Sequence, residues 1–146
     1  KNAAETIKRV CLELGGKDPA YVLADSDLDH AVPNLIEGAF FNSGQSCCGI
    51  ERIYVHESRF REFVERYVAG VHAYTLGNPI DLGTDLGPVV RPSAADHVRQ
   101  QTQQAVARGA SLGRTIGRRA HENSLTALST APSRIAWTLL CGWAAA

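Results

Sequence analysis

Up to about residue 112, the apolar positions fall into short runs and helically spaced stripes. Cys11-Leu12-Glu13-Leu14 and residues 20–23 read as short strands separated by the Gly15-Gly16 turn. Leu28, Ala31, Val32, Leu35, Ile36 and Ala39 then recur at helical spacing behind Asp25-Ser26-Asp27, which supplies N-cap chemistry. Pro33 interrupts that stripe, and a proline beyond the first turn costs ~3 kcal/mol, so a kink or a late helix start is expected. Arg52-Ile53-Tyr54-Val55 is a further strand. Ser58 is expected to cap a second helix, with Phe60, Phe63, Val64, Tyr67, Val68 and Val71 on one face. Leu76-Gly77-Asn78-Pro79 ends it, residues 83–92 form a loop, and a third helix spans residues 93–108 with Gly109 as its C-terminal cap. Helices alternating with short strands predict an α/β layer architecture.

The pattern changes at residue 113. Residues 113–146 carry Arg114, Arg118, Arg119 and Arg134 against Glu122 alone, a net charge of +3 that leaves −3 on residues 1–112 of a neutral chain. Lysine and aspartate disappear, and no clean period of two or 3.6 runs through the segment. The expected division is therefore an ordered unit over 1–112 and an irregular tail over 113–146. Composition reads that tail as out of frame, disordered, or a solvated extension.

Composition narrows the partners. A formal net charge of zero argues for neither nucleic acid nor an anionic membrane. The longest apolar run, near residues 136–146, is too short to span a bilayer, and residues 1–5 lack the pattern of a secretory signal. Cys11, Cys47, Cys48 and Cys141 do not form a disulfide framework, and no paired Cys/His spacing suits zinc, so no metal is expected. Reduced thiols fit a cytoplasmic protein.

Two segments carry candidate chemistry. Phe40-Phe41-Asn42-Ser43-Gly44-Gln45-Ser46-Cys47 places a cysteine just past an amphipathic helix and a turn-permitting glycine. There a thiolate can attack an electrophile while backbone N–H groups meet the developing oxyanion. For an arbitrary cysteine a buried structural thiol is the commoner role, and Cys48 is assigned to it. In Leu12-Glu13-Leu14-Gly15-Gly16-Lys17, burial of the two leucines would turn Glu13 to the opposite face, and the glycines would let a ligand approach the backbone. A surface glutamate before a turn is the plainer reading of that pattern. Glu51 and Arg52 are expected to form a local ion pair.

Together the two segments resemble the aldehyde dehydrogenase superfamily. Its glutamate motif, L-E-L-G-G-K, is complete at residues 12–17, and its cysteine motif, F-x-N-x-G-Q-x-C, at residues 40–47. Their order and their interval of 34 residues from Glu13 to Cys47 agree with the family. Lys8-Arg9-Val10, residues 24–29, Arg52-Ile53-Tyr54-Val55, Leu76-Gly77-Asn78-Pro79 and Asp85-Leu86-Gly87-Pro88 extend the resemblance over roughly residues 3–112. It implies a partial catalytic domain with Rossmann-like layers and NAD(P)-dependent oxidation of an aldehyde to a carboxylic acid. Cys47 would be the nucleophile, passing through a thiohemiacetal and a thioester. Glu13 would be the general base that activates water and assists thiol deprotonation. The Cys47 N–H would be an oxyanion donor, and the backbone of Leu14 and Gly15 would lie by the nicotinamide of NAD or NADP. A small-molecule aldehyde is the implied substrate, and a homo-oligomer is implied for the full-length parent.

The chain departs from the family where the family's E-x-F-G-P motif would follow, and most of the family's cofactor domain precedes the glutamate motif. The isolated chain is therefore expected to be inactive or very weak. Two other readings remain: a non-catalytic truncated relative that partners a full-length subunit, and a Cys/His hydrolase or acyltransferase using Cys47 with His30, His56, His72, His97 or His121.

Overall fold

In the computed structural model, residues 5–112, 123–129 and 137–143 are described, the last two stretches and residues 111–112 by their backbone. The order is β1 (Asp18–Val22), α1 (Leu28–Phe40), a 3-10 turn (Phe41–Gly44), β2 (Ile50–Val55), α2 (Glu57–His72), α3 (Pro92–Ala107), β3 (Ser111–Leu112), β4 (Asn123–Ser129) and β5 (Trp137–Trp143). The strands form one sheet in the order β1-β2-β5-β4-β3. Only β1 and β2 run parallel; the other neighbours are antiparallel. The α/β class expected from the pattern is therefore present.

The parallel pair needs a crossover, and α1 with its 3-10 turn supplies it. Asp27 caps α1, its carboxylate accepting from the Asp29 N–H at 2.9 Å. Leu28, Val32, Ile36, Ala39 and Phe40 form the buried stripe, and Ala31 and Leu35 lie at its margin. The helix runs through Pro33 without a late start. Pro33 is solvent-exposed, so its ring meets no core atoms and water can satisfy the Asp29 carbonyl that loses its intrahelical partner.

On α2, Phe63 and Tyr67 are buried, and Phe60, Val64 and Val71 pack partly against the core. Its cap is His56 rather than Ser58: the His56 Nδ1 accepts from the Ser58 N–H at 3.3 Å. The Ser58 hydroxyl also bonds that nitrogen, at 2.9 Å, so Ser58 is engaged inside the first turn. Phe40 joins the two helices, with ring centroids 6.4 Å from Tyr67 and 6.2 Å from Tyr74. Arg66 on α2 bonds Asp29 on α1 and Glu62; the hydrogen bond it donates to Asp29, together with the Glu62 charge, raises its pKa. That pair is exposed and contributes little to stability.

Pro92 occupies the first turn of α3. Gly109 ends it as expected, at a φ of +94° with its N–H on the Val106 carbonyl and the Ala110 N–H on that of Ala105. Within the tail, expected to be irregular, the described residues are two strands. β4 and β5 pair antiparallel in register from Asn123↔Trp143 to Ser129↔Trp137, and β5 continues the sheet from β2 at Arg52↔Thr138 and Ile53↔Trp137. Basic, Thr/Ser-rich composition is a statement about solvation and does not forbid a backbone ladder between these stretches.

The expected first strand is absent. Cys11-Leu12-Glu13-Leu14 has no ladder partner and is exposed throughout, with Leu12 66% and Leu14 86% accessible. Alternating burial across Glu13 therefore does not arise, because a strand needs a neighbour and β1, the sheet edge, pairs only with β2.

Phe40 is 1% exposed and touches both helices. Phe40→Ala is expected to cost about 3–5 kcal/mol, read as a lowered urea midpoint with an unchanged m-value.

Candidate functional site

The cysteine segment takes its shape from the end of α1. Asn42 (φ 50°, ψ 39°) and Ser43 (φ 58°, ψ 33°) are both left-handed, followed by Gly44 at φ 76°. Two consecutive non-glycine residues in that region cost roughly 1–2 kcal/mol each, so other bonds must hold the turn. The Asn42 amide donates to the Gln45 carbonyl at 3.1 Å, and the Gln45 amide donates back to the Asn42 carbonyl at 3.0 Å. Gln45 Oε1 accepts from the Val90 N–H at 2.7 Å. Ser43, 7% exposed, donates its hydroxyl proton to the Gly87 carbonyl at 2.5 Å.

These last two bonds tie the turn to residues 87–90, which are themselves braced. Leu76 and Leu86 form a parallel bridge, and Asp85 accepts from the Thr75 N–H at 2.7 Å. The polar residues of the cysteine segment thus have structural roles around the 3-10 turn, and Cys47 follows three residues beyond its end. Cys47 and Cys48 are exposed free thiols, with the Ser46 hydroxyl 3.3 Å from the Cys48 sulfur. Cys48 is therefore not the buried structural thiol that was expected. It follows Cys47 in an outward loop before β2 begins at Ile50.

The glutamate segment meets this loop at Gly16. A Cβ built on Gly16 would lie 3.0 Å from the Cys47 carbonyl oxygen, so the two backbones approach as only glycine comfortably allows. Parallel pairing produces the approach: Asp18 is opposite Ile50, and the residues preceding each strand share one end of the sheet. Lys17 forms an ion pair with Glu51, and Arg52 donates two hydrogen bonds to the Lys17 carbonyl, at 3.2 and 2.5 Å. The local Glu51–Arg52 pair expected from their adjacency is thus replaced by two ties across the strands. Sequence adjacency could not reveal them, because Lys17 is 34 and 35 residues away.

The Glu13 side chain is exposed, and among the described residues no hydrogen bond joins it to Cys47. Gly15 has a φ of +76° with no atom within 4 Å of the Cβ position, and it is exposed like Leu14. That backbone is open to solvent at both residues. Of the histidines, His56 is engaged in capping α2, and His121 lies outside the described residues. Among the described residues, no group of His, Cys, Asp or Glu is suited to a metal ion, and no helix is long and apolar enough to cross a membrane.

An exposed thiol on a loop packed against a second motif, at the head of a β-α-β unit, defines the class: an α/β protein with an accessible cysteine beside a glycine-bearing segment. The sequence model of the aldehyde dehydrogenase family matches residues 1–128, and the chain belongs to that family. That match extends past residue 112, where the resemblance by motif stopped. Retinal dehydrogenase 2 of Mus musculus is 43% identical over 116 residues, covering 77% of this chain and 22% of the relative. The crystal structure of lactaldehyde dehydrogenase from Escherichia coli superposes with a TM-score of 0.75 at 36% identity, over 86% of this chain and 27% of that one. Aldehyde dehydrogenase C from Pseudomonas syringae, solved as a mutant with NAD+ and octanal, gives a TM-score of 0.70 at 34% identity, over 76% and 23%. The chain therefore spans about a quarter or less of the length of these relatives.

Ser43→Ala leaves the Gly87 carbonyl without its partner inside a part-buried contact. It is expected to destabilise the chain by about 1–3 kcal/mol, measured by thermal or urea unfolding.

Proposed function

We propose that this chain carries the thiol and the carboxylate of an NAD- or NADP-dependent oxidation of an aldehyde to a carboxylic acid. The observation that carries the reading is the packing of Gly16 against the Cys47 carbonyl, which holds the glutamate segment against the cysteine loop. The Cys47 thiolate adds to the aldehyde carbon, and the oxygen, now negative, is met by backbone N–H groups of the turn, that of Cys47 among them. Bound NAD or NADP supplies a hydride acceptor, with Leu14 and Gly15 as the backbone positions beside its ring. The acyl group then sits on Cys47 as a thioester. Glu13 takes a proton from water, the hydroxide attacks the acyl carbon, and the carboxylic acid leaves as the thiol is restored. Family membership supports the reaction class, and the NAD+ and octanal bound by the Pseudomonas syringae relative support the cofactor and substrate class.

A second reading concerns how the chain works. Ile7, Val10, Leu12 and Leu14 all expose apolar side chains on the segment that bears Glu13. Surface of that kind favours packing against further protein, either the rest of a larger catalytic body or a full-length partner subunit. The free thiols Cys11, Cys47 and Cys48 support the cytoplasm as its compartment.

Acyl chemistry can be tested without the dinucleotide, using p-nitrophenyl acetate as an activated acyl donor. A burst of p-nitrophenolate is expected from acylation of Cys47, followed by a slower steady rate. Cys47→Ala abolishes the burst; Glu13→Gln keeps it and slows the steady rate by about 10²-fold or more. Release that is indifferent to Cys47→Ala would sink the assignment. In a separate assay with an aliphatic aldehyde and NAD or NADP, the isolated chain is expected to form little or no reduced cofactor. Vigorous turnover there would show that exposed Leu14 and Gly15 suffice to hold the ring.

A further inference from the structure

The β1–β2 ladder slips at its head. Asp18 pairs with Ile50 but Pro19 pairs with Arg52, so Glu51 is an extra residue on β2 and the register shifts between Asp18 and Pro19. Bulges of this kind bend a strand and re-aim what adjoins it. Pro19 cannot donate a ladder hydrogen bond, which suits an edge strand at a bulge. Just before it, the Lys17 carbonyl takes its hydrogen bonds from the Arg52 side chain, through Nε at 3.2 Å and Nη2 at 2.5 Å. A planar guanidinium offering two N–H groups to one carbonyl fixes the direction of that peptide as well as its place. The next residue back is Gly16, whose Cα faces the Cys47 carbonyl, and Glu13 lies three residues further on an otherwise unpaired arm.

We propose that Arg52 is a positioning residue that holds the Glu13 arm against the Cys47 loop, so that it governs hydrolysis of the acyl-enzyme and leaves its formation untouched. The inference rests on the reading of Glu13 and Cys47 given above. Arg52 itself touches neither reacting group. Cys47 is carried by the turn that Gln45 and Ser43 brace from the other side, which is why the two half-reactions separate. The exposed Lys17–Glu51 ion pair reaches the same turn, but two flexible, solvated side chains cannot set a peptide's direction as the guanidinium does.

The test is the p-nitrophenyl acetate burst with Arg52→Met, Arg52→Lys and Glu51→Gln in the same chain. For Arg52→Met, the burst rate and amplitude stay within about twofold of the parent while the steady rate falls at least about tenfold. Arg52→Lys, which retains one N–H donor for the carbonyl, recovers the rate to within a few-fold, and Glu51→Gln matches the parent. The inference is overturned if Arg52→Met, with an unchanged melting temperature, hydrolyses the acyl-enzyme at the parental rate. A fall of burst and steady rate together would also overturn it, since that is the mark of a merely structural role. If the parent's burst survives Cys47→Ala, or Glu13→Gln leaves the steady rate unchanged, the underlying reading fails and takes this one with it. Normal behaviour of those two controls with an inert Arg52→Met sinks the inference alone.

Discussion

Parallel pairing of β1 with β2 is the constraint on which the site depends. Two parallel neighbours require a crossover, and the crossover here is α1 with its 3-10 turn, whose far end carries Cys47. Because both strands point the same way, the residues that precede them emerge at one edge of the sheet. The glutamate segment precedes β1 and the cysteine loop precedes β2, so the ladder brings together two motifs 34 residues apart in sequence, and the Arg52 and Lys17 ties fasten them there. Open α/β sheets ordinarily bind ligands at the carboxyl ends of their strands. This pair gathers its chemistry at the amino ends.

Placement of the thiol has its own energetic logic. Left-handed Asn42 and Ser43 are locally unfavourable, and such strain persists only where the surroundings over-determine it. Here the reciprocal Asn42–Gln45 bonds close the turn on itself, while Ser43 and Gln45 fasten it to the segment around Gly87 and Val90. That segment is in turn pinned by the Leu76–Leu86 bridge and Asp85. A cysteine just past a turn braced from two directions has its backbone held while its side chain stays exposed.

The arm bearing Glu13 is the counterpart, with fewer bonds and more apolar surface in solvent. Among the described residues it is fastened at Gly16 and Lys17, where the bulge, the Arg52 guanidinium and the Cys47 carbonyl converge. Beyond that point the apolar side chains of Ile7, Val10, Leu12 and Leu14 are uncovered. They match a chain that spans under a quarter of the length of a relative such as retinal dehydrogenase 2.

By itself the sequence determined what local periodicity and complete motifs can encode. The buried stripe of α1, the Phe63 and Tyr67 face of α2, the Gly109 cap and the family all follow from residues within one or two helical turns or one motif. The tertiary structure decided matters that depend on a distant partner. Whether Cys11-Leu12-Glu13-Leu14 became a strand depended on a neighbour that β1 and β2 do not supply, so its alternation predicted nothing. His56 displaced Ser58 as a cap by the reach of one ring nitrogen. Arg52 chose the Lys17 carbonyl over its neighbour Glu51, and Ser43 and Gln45 found Gly87 and Val90. Those bonds join residues 35 to 45 positions apart, and no periodicity along a chain encodes which distant group a side chain will meet once the strands have paired.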